Sequence, residues 1–135
     1  MAPPRTYHCE ALILKHVPFG EADLLVTFFT RERGKIRAVA RGARRSNSKL
    51  VGHLEPLTQV NLSLAQGRGG LDHVSQAQLM ESFAPLKDDL KAITKGFYVA
   101  ELVDGFGSEA HPNQPLYHLA VAALNAIGQD PESEL

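Results

Sequence analysis

A mainly β fold, a small five-stranded barrel followed by an α-helical segment, is the class this chain predicts, and three observations predict it. Five apolar stretches of strand length lie between turn signals over residues 7–79. Near Ser82–Pro85 the apolar period changes to a helical one. Charge divides close to the same place. Residues 1–71 carry 11 Lys and Arg against 5 Asp and Glu, and residues 72–135 carry 3 against 10. A basic part followed by an acidic part predicts two units, residues 1–81 and 82–135, in a chain of net charge −1. The 44% hydrophobic content of 135 residues is enough to bury a core.

Residues 1–6 read as a loose lead-in. From Tyr7 to Val17 the chain is apolar at both parities, with Leu12 and Leu14 on one and Cys9, Ala11 and Ile13 on the other. A strand buried on both sides over part of its length has this pattern. Pro18-Phe19-Gly20 breaks it, and Asp23 to Thr30 is a second strand. The turn Arg31-Glu32-Arg33-Gly34 leads to a third strand, Lys35 to Arg41, which alternates. Ile36, Ala38 and Ala40 share one face, and Lys35, Arg37, Val39 and Arg41 share the other. Gly42 to Gly52 is a loop rich in Arg, Ser, Asn and Gly, of flexible composition. A fourth strand runs from Leu57 to Ala65 with Val60, Leu62 and Leu64 inward. After the Gly-rich turn Gln66–Gly70, a fifth runs from Leu71 to Leu79.

The helical period begins with Leu86, Leu90, Ile93, Phe97 and Ala100, in one helix with Pro85, Asp88 and Asp89 at its start and Gly105 or Gly107 at its end. A second helix carries Leu116, Leu119, Ala120, Ala123, Leu124 and Ile127 as a stripe, with Asn113 as cap, Pro115 in the first turn and Gly128 at the end. That stripe is more than so short a chain covers, and it predicts that residues 82–135 begin a longer helical domain. Five-stranded barrels of this size followed by other elements are OB-folds, which bind oligonucleotides on their middle strands and flanking loops.

The stretch Arg31–Lys49 holds eight basic residues against the single acid Glu32. Segregation of this kind presents cations to an anionic partner, and nucleic acid is the first candidate. The cations Lys35, Arg37 and Arg41 on one strand face recur at roughly 6–7 Å, close to the phosphate repeat of an extended strand. Arg31 precedes them. Arg44, Arg45 and Lys49 add a cationic arm, and Arg68 lies between glycines in the fourth loop. Phe19, in its Pro-Phe-Gly loop, is the candidate for base stacking, since one of Phe28 and Phe29 faces the core, although packing within the core or loop is the better reading for each. The opposing reading of these cations is a solvated face.

Other chemistry is weakly represented. Glu21 and Asp23 are a possible carboxylate pair, although turn hydrogen bonds are the better reading. His8 and Cys9 are strand neighbours and point apart. The histidines have no metal-ligand spacing, and the Gly-rich loop lacks the Lys-Ser/Thr of a P-loop. No enzyme is predicted. A single cysteine, Cys9, excludes an intrachain disulfide and a cysteine-cluster zinc site within these residues. No apolar run is long enough to span a bilayer, and no signal peptide is evident. A cytoplasmic, nucleoid-associated protein without a membrane partner is expected.

The segment from Tyr7 to Gly69 resembles the RecO family of bacterial DNA repair and recombination mediators. The likeness rests on Gly20-Glu21-Ala22-Asp23, Thr30 to Lys35, Ala40 to Arg45, Leu54-Glu55-Pro56-Leu57 and Glu81-Ser82-Phe83, in order, and extends to about Ala123. The resemblance implies an N-terminal OB-fold and a helical domain that together bind single- and double-stranded DNA and anneal complementary strands. It implies partnership with RecR, displacement of single-stranded-DNA-binding protein, and loading of RecA. Some members hold zinc through four cysteines in the helical domain; none of those cysteines is present here, so either zinc belongs to a missing C-terminal part or it is absent. Two alternatives stand beside this reading. One is a protein-interaction scaffold without direct DNA chemistry, and the other a nonspecific RNA-binding barrel.

Overall fold

The structure is a computed structural model that describes residues 5–48, 50, 53–107 and 111–132, with the backbone alone for Arg68. Five strands, β1 (Thr6–Phe19), β2 (Asp23–Thr30), β3 (Gly34–Ala40), β4 (Gln59–Ala65) and β5 (Asp72–Glu81), close a barrel in the order β1-β2-β3-β5-β4. Three helices follow, α1 (Ala84–Lys87), α2 (Leu90–Phe106) and α3 (Gln114–Gln129). Neighbouring strands pair antiparallel except β3 and β5, which close the barrel through a short parallel contact at Ala38–Asp72 and Val39–His73. This is the expected OB-fold barrel with a helical segment.

β1 is buried on both sides, as its two apolar parities require. Cys9, Ala11 and Ile13 fill the barrel with Leu24, Val26, Phe28, Ala38, Ala40 and the inward residues of β4. Leu12 and Leu14 face outward and are covered by the helices, together with Phe29. Phe28 and Phe29 thus enter two different cores, one inside the barrel and one between barrel and helices.

The helices depart from their expected form. In place of one helix from Pro85 there are two, and the break falls at Asp88-Asp89. Asp89 is extended, and its side chain accepts from the Ala92 N–H at 3.0 Å, so it caps α2. The acids expected in a first turn instead end one helix and open the next.

The buried stripe of α2 is Ala92, Gly96, Ala100 and Val103, whereas Leu90 and Phe97 are 82% and 45% exposed. Close approach decides this. A Cβ on Gly96 would stand 2.9 Å from Leu57 Cδ1 and 3.2 Å from both Leu86 methyls. Only a face of small residues fits there, and the large ones turn outward.

In α3 the expected cap is present, with Asn113 accepting from the Leu116 N–H at 3.1 Å. Its buried residues include Tyr117, Ala120, Leu124 and Ile127, while Leu119 is 66% exposed. Tyr117 takes the central place because its hydroxyl accepts from Gln59 Nε2 at 3.0 Å, which satisfies the polar end of an otherwise apolar ring.

Candidate nucleic-acid interface

The hairpin β2–β3 carries the cations, and its two ends are built differently. At one end the β1–β2 turn meets the chain leaving β3. Asp23 Oδ1 accepts from the Gly42 N–H at 2.7 Å. Arg44 donates through Nε to the Asp23 carbonyl at 2.9 Å and through a terminal nitrogen to the Gly20 carbonyl at 2.6 Å. The Arg44 N–H adds a bond to the Ala22 carbonyl. Gly42 takes the left-handed conformation this strap needs, with φ of +67°. Asp23 therefore ties two turns together, in line with the turn-bond reading of that carboxylate. The start of the arginine-rich loop is strapped to the barrel. Lys49 lies outside the described residues.

Arg41, Arg44 and Arg45 are exposed around this strap, and Phe19 beside it is 40% exposed. Arg37 is exposed farther along β3. Lys35 is placed otherwise. Its Nζ lies 3.0 Å from Asp104 Oδ1 and 2.9 Å from the Asp104 carbonyl, and its side chain is 16% exposed. Val39 is buried on this outward face. So the outer face of β3 is divided, with Lys35 held against α2, Arg37 exposed and Val39 buried.

At the other end, the β2–β3 turn is set by Thr30. Its hydroxyl accepts from the Arg33 N–H at 2.9 Å and donates to the Gly34 carbonyl at 2.8 Å. Arg31 lies 3.3 Å from Glu32 and 3.7 Å from Glu10, so its charge is met within the molecule. Arg33 lies over the Tyr7 ring, its guanidinium carbon 4.0 Å from the centroid. Arg68 is in a short 3-10 turn, Arg68–Gly70, between β4 and β5.

The arrangement gathers Arg37, Arg41, Arg44 and Arg45 along one half of the hairpin. It separates them from Lys35, turned to α2, and from Arg31, at the far turn. Lys15 and Arg33 are among the cations that lie outside the residues singled out from sequence. Lys15 Nζ lies 3.0 Å from Asp104 Oδ2, beside Lys35 on the same carboxylate. Nothing local signals that meeting, since β1, β3 and α2 come together only in the fold. Burial alone would raise the pKa of Asp104. The hydrogen bonds and charges of Lys15 and Lys35 outweigh it and hold the carboxyl below its ordinary value.

A four-cysteine zinc site does not fit these residues. The one cysteine, Cys9, is buried in the barrel, and among the described residues no three His, Cys, Asp or Glu side chains converge as metal ligands. Among them, too, no helix is long and apolar enough to cross a membrane.

A closed five-stranded barrel with a cationic hairpin and a helical extension defines an OB-fold protein. The family model for the recombination protein O N terminal matches residues 1–83, and that for its C terminal matches residues 87–135. The chain is 40% identical over 123 residues to the DNA repair protein RecO of Desulforamulus reducens, which covers 91% of this chain and 48% of that protein. It is 37% identical over 131 residues to the DNA repair protein RecO of Gloeobacter violaceus, which covers 97% of this chain and 50% of that protein. The chain belongs to the RecO family of DNA repair proteins. It spans about half the length of the curated relatives it matches.

Proposed function

We propose that this chain binds single- and double-stranded DNA through the open half of the β2–β3 hairpin and takes part in annealing complementary strands. In the same reading it works with RecR and single-stranded-DNA-binding protein to help RecA load. The observation that carries the proposal is the row Arg37, Arg41, Arg44 and Arg45, exposed along one strand and its strapped loop. Lys35, Lys49, Arg31, Arg68 and Phe19 are secondary contacts. Family membership supports the repair role.

Annealing on such a surface needs no catalytic residue and no cofactor. Arginines neutralise two phosphate backbones at once and lower their repulsion, and release of condensed counterions drives binding. The contacts are with phosphate, so binding is independent of sequence. Acting this way the chain is a cytoplasmic mediator and not an enzyme.

A titration with a fluorescent 30-nucleotide single strand at several salt concentrations tests this. For about five phosphates, log affinity should fall against log salt with a slope near −3.5. The variant with Arg37, Arg41 and Arg45 changed to Glu should lose most of that affinity while keeping its thermal transition. Lys35 is left intact because its partner is Asp104. Salt-independent binding, or equal binding by the variant, would refute the proposal and favour a protein-docking scaffold. Equal affinity for RNA would favour the nonspecific RNA module.

A further inference from the structure

We infer that Arg33, laid on the ring of Tyr7, is a stacking platform for an unpaired nucleobase at the far turn of the hairpin. The inference rests on the nucleic-acid reading above and adds a contact of a different kind to it. The guanidinium lies 4.0 Å over the ring centroid, and Arg33 is exposed. Its neighbour Arg31 is engaged by Glu10 and Glu32, whereas the aromatic ring is the contact the Arg33 guanidinium has among the described residues.

The platform is fixed from below. The Tyr7 hydroxyl donates to the Asp72 carboxylate, whose other oxygen accepts from the Gly67 N–H at 3.3 Å. The ring is partly buried against the barrel core. From the side, the Arg33 N–H is held by Thr30 Oγ1 at 2.9 Å. The guanidinium carbon stands over the tyrosine ring and the side chain is exposed, so a side of this planar group is open to solvent. Nucleobases stack on such planes, and a side chain already ordered loses little freedom on binding. A base within a duplex is already stacked on its neighbours, so the platform favours single strands.

Its distance from the arginine row is that of a short footprint. Arg33 lies eight residues before Arg41 in the sequence, about 26 Å at the usual strand rise. That length suits the shortest sites on such barrels, about four nucleotides. Phosphates would follow Arg41 and Arg37, and the last base would rest on Arg33.

The test is titration of the full chain with single strands carrying 2-aminopurine, whose fluorescence reports stacking, and with duplexes of the same length. Arg33→Lys keeps the charge and removes the plane. We expect it to bind single strands about five- to tenfold more weakly, with unchanged salt slope, unchanged duplex affinity and no 2-aminopurine response. Tyr7→Leu, compared at matched thermal stability, should lose the same response. Wild-type behaviour of Arg33→Lys would overturn the platform, as would a variant Arg33→Ala that weakens single strands and duplexes equally with a shallower slope. If the wild type binds no single strand, the nucleic-acid reading falls and the platform with it. If the wild type binds single strands and Arg33→Lys binds and responds as the wild type does, the platform alone falls.

Discussion

Lys35 and Asp104 join the third strand to the second helix, with Nζ 3.0 Å from Oδ1 and 2.9 Å from the backbone carbonyl of the same aspartate. Lys15 holds the other carboxylate oxygen at 3.0 Å. One carboxylate thus holds two lysines. Asp104→Asn should lower stability by about 1 kcal/mol, the scale of a partly screened ion pair. It should also tighten single-strand binding a few-fold by releasing Lys15 and Lys35. Urea unfolding and the salt-series titration, run on the same preparation, measure both effects.

The same contact sets a pH dependence. The carboxyl of Asp104 is held below its ordinary value in the fold, so the stabilisation is complete above the unfolded value, about 3.9. It is lost as pH falls through the depressed folded value. The stability gap between the wild type and Asp104→Asn should therefore be constant from pH 7 to about 5 and close below about 4. Urea midpoints at each pH check the shape.

Gly34 has φ of +73°, and a Cβ there would lie 2.2 Å from the carbonyl oxygen of His111. Gly69 has φ of +76° with nothing within 4 Å of the same position. Alanine at Gly69 should cost about 1 kcal/mol from backbone conformation alone. Alanine at Gly34 should cost about 2 kcal/mol more, because backbone must move aside. Denaturant midpoints of the two variants separate conformation from contact.

Cys9 is 3% exposed, and its thiol is pushed up to about 12. Burial is the main cause, the charge of Glu32 adds to it, and Arg33 opposes it. The native protein should not react with a disulfide reagent at pH 8, and should release one equivalent of thiolate on unfolding. Absorbance at two urea concentrations reads this directly.

The strands were legible because alternation and turn residues are local. The second strand matches its expected bounds, Asp23 to Thr30, and the burial of both faces of β1 follows from its two apolar parities. The helix faces are less legible, because apolar size alone does not mark the buried side. Gly96 packs under Leu57 and Leu86, contacts that close only in the fold, and so Leu90 and Phe97 are left outside. The cationic strand was legible as charge, but its division was not. Asp104 lies 69 residues from Lys35, and no spacing rule connects them. Tyr7 and Arg33 likewise meet only in the fold.

The approach of Gly34 to His111 also bears on how the molecule comes apart. His111 lies against Gly34 at the β2–β3 turn, while Leu12, Leu14 and Phe29 from the barrel share one core with Leu86, Val103 and Tyr117 from the helices. The seam between the two family models, near residues 83–87, runs through the middle of that shared core. Barrel and helices are therefore coupled in cooperative unfolding. Cutting at the seam would expose Phe29 and Leu12 to water, so the barrel excised alone is a poorer folding unit than the sequence boundary suggests.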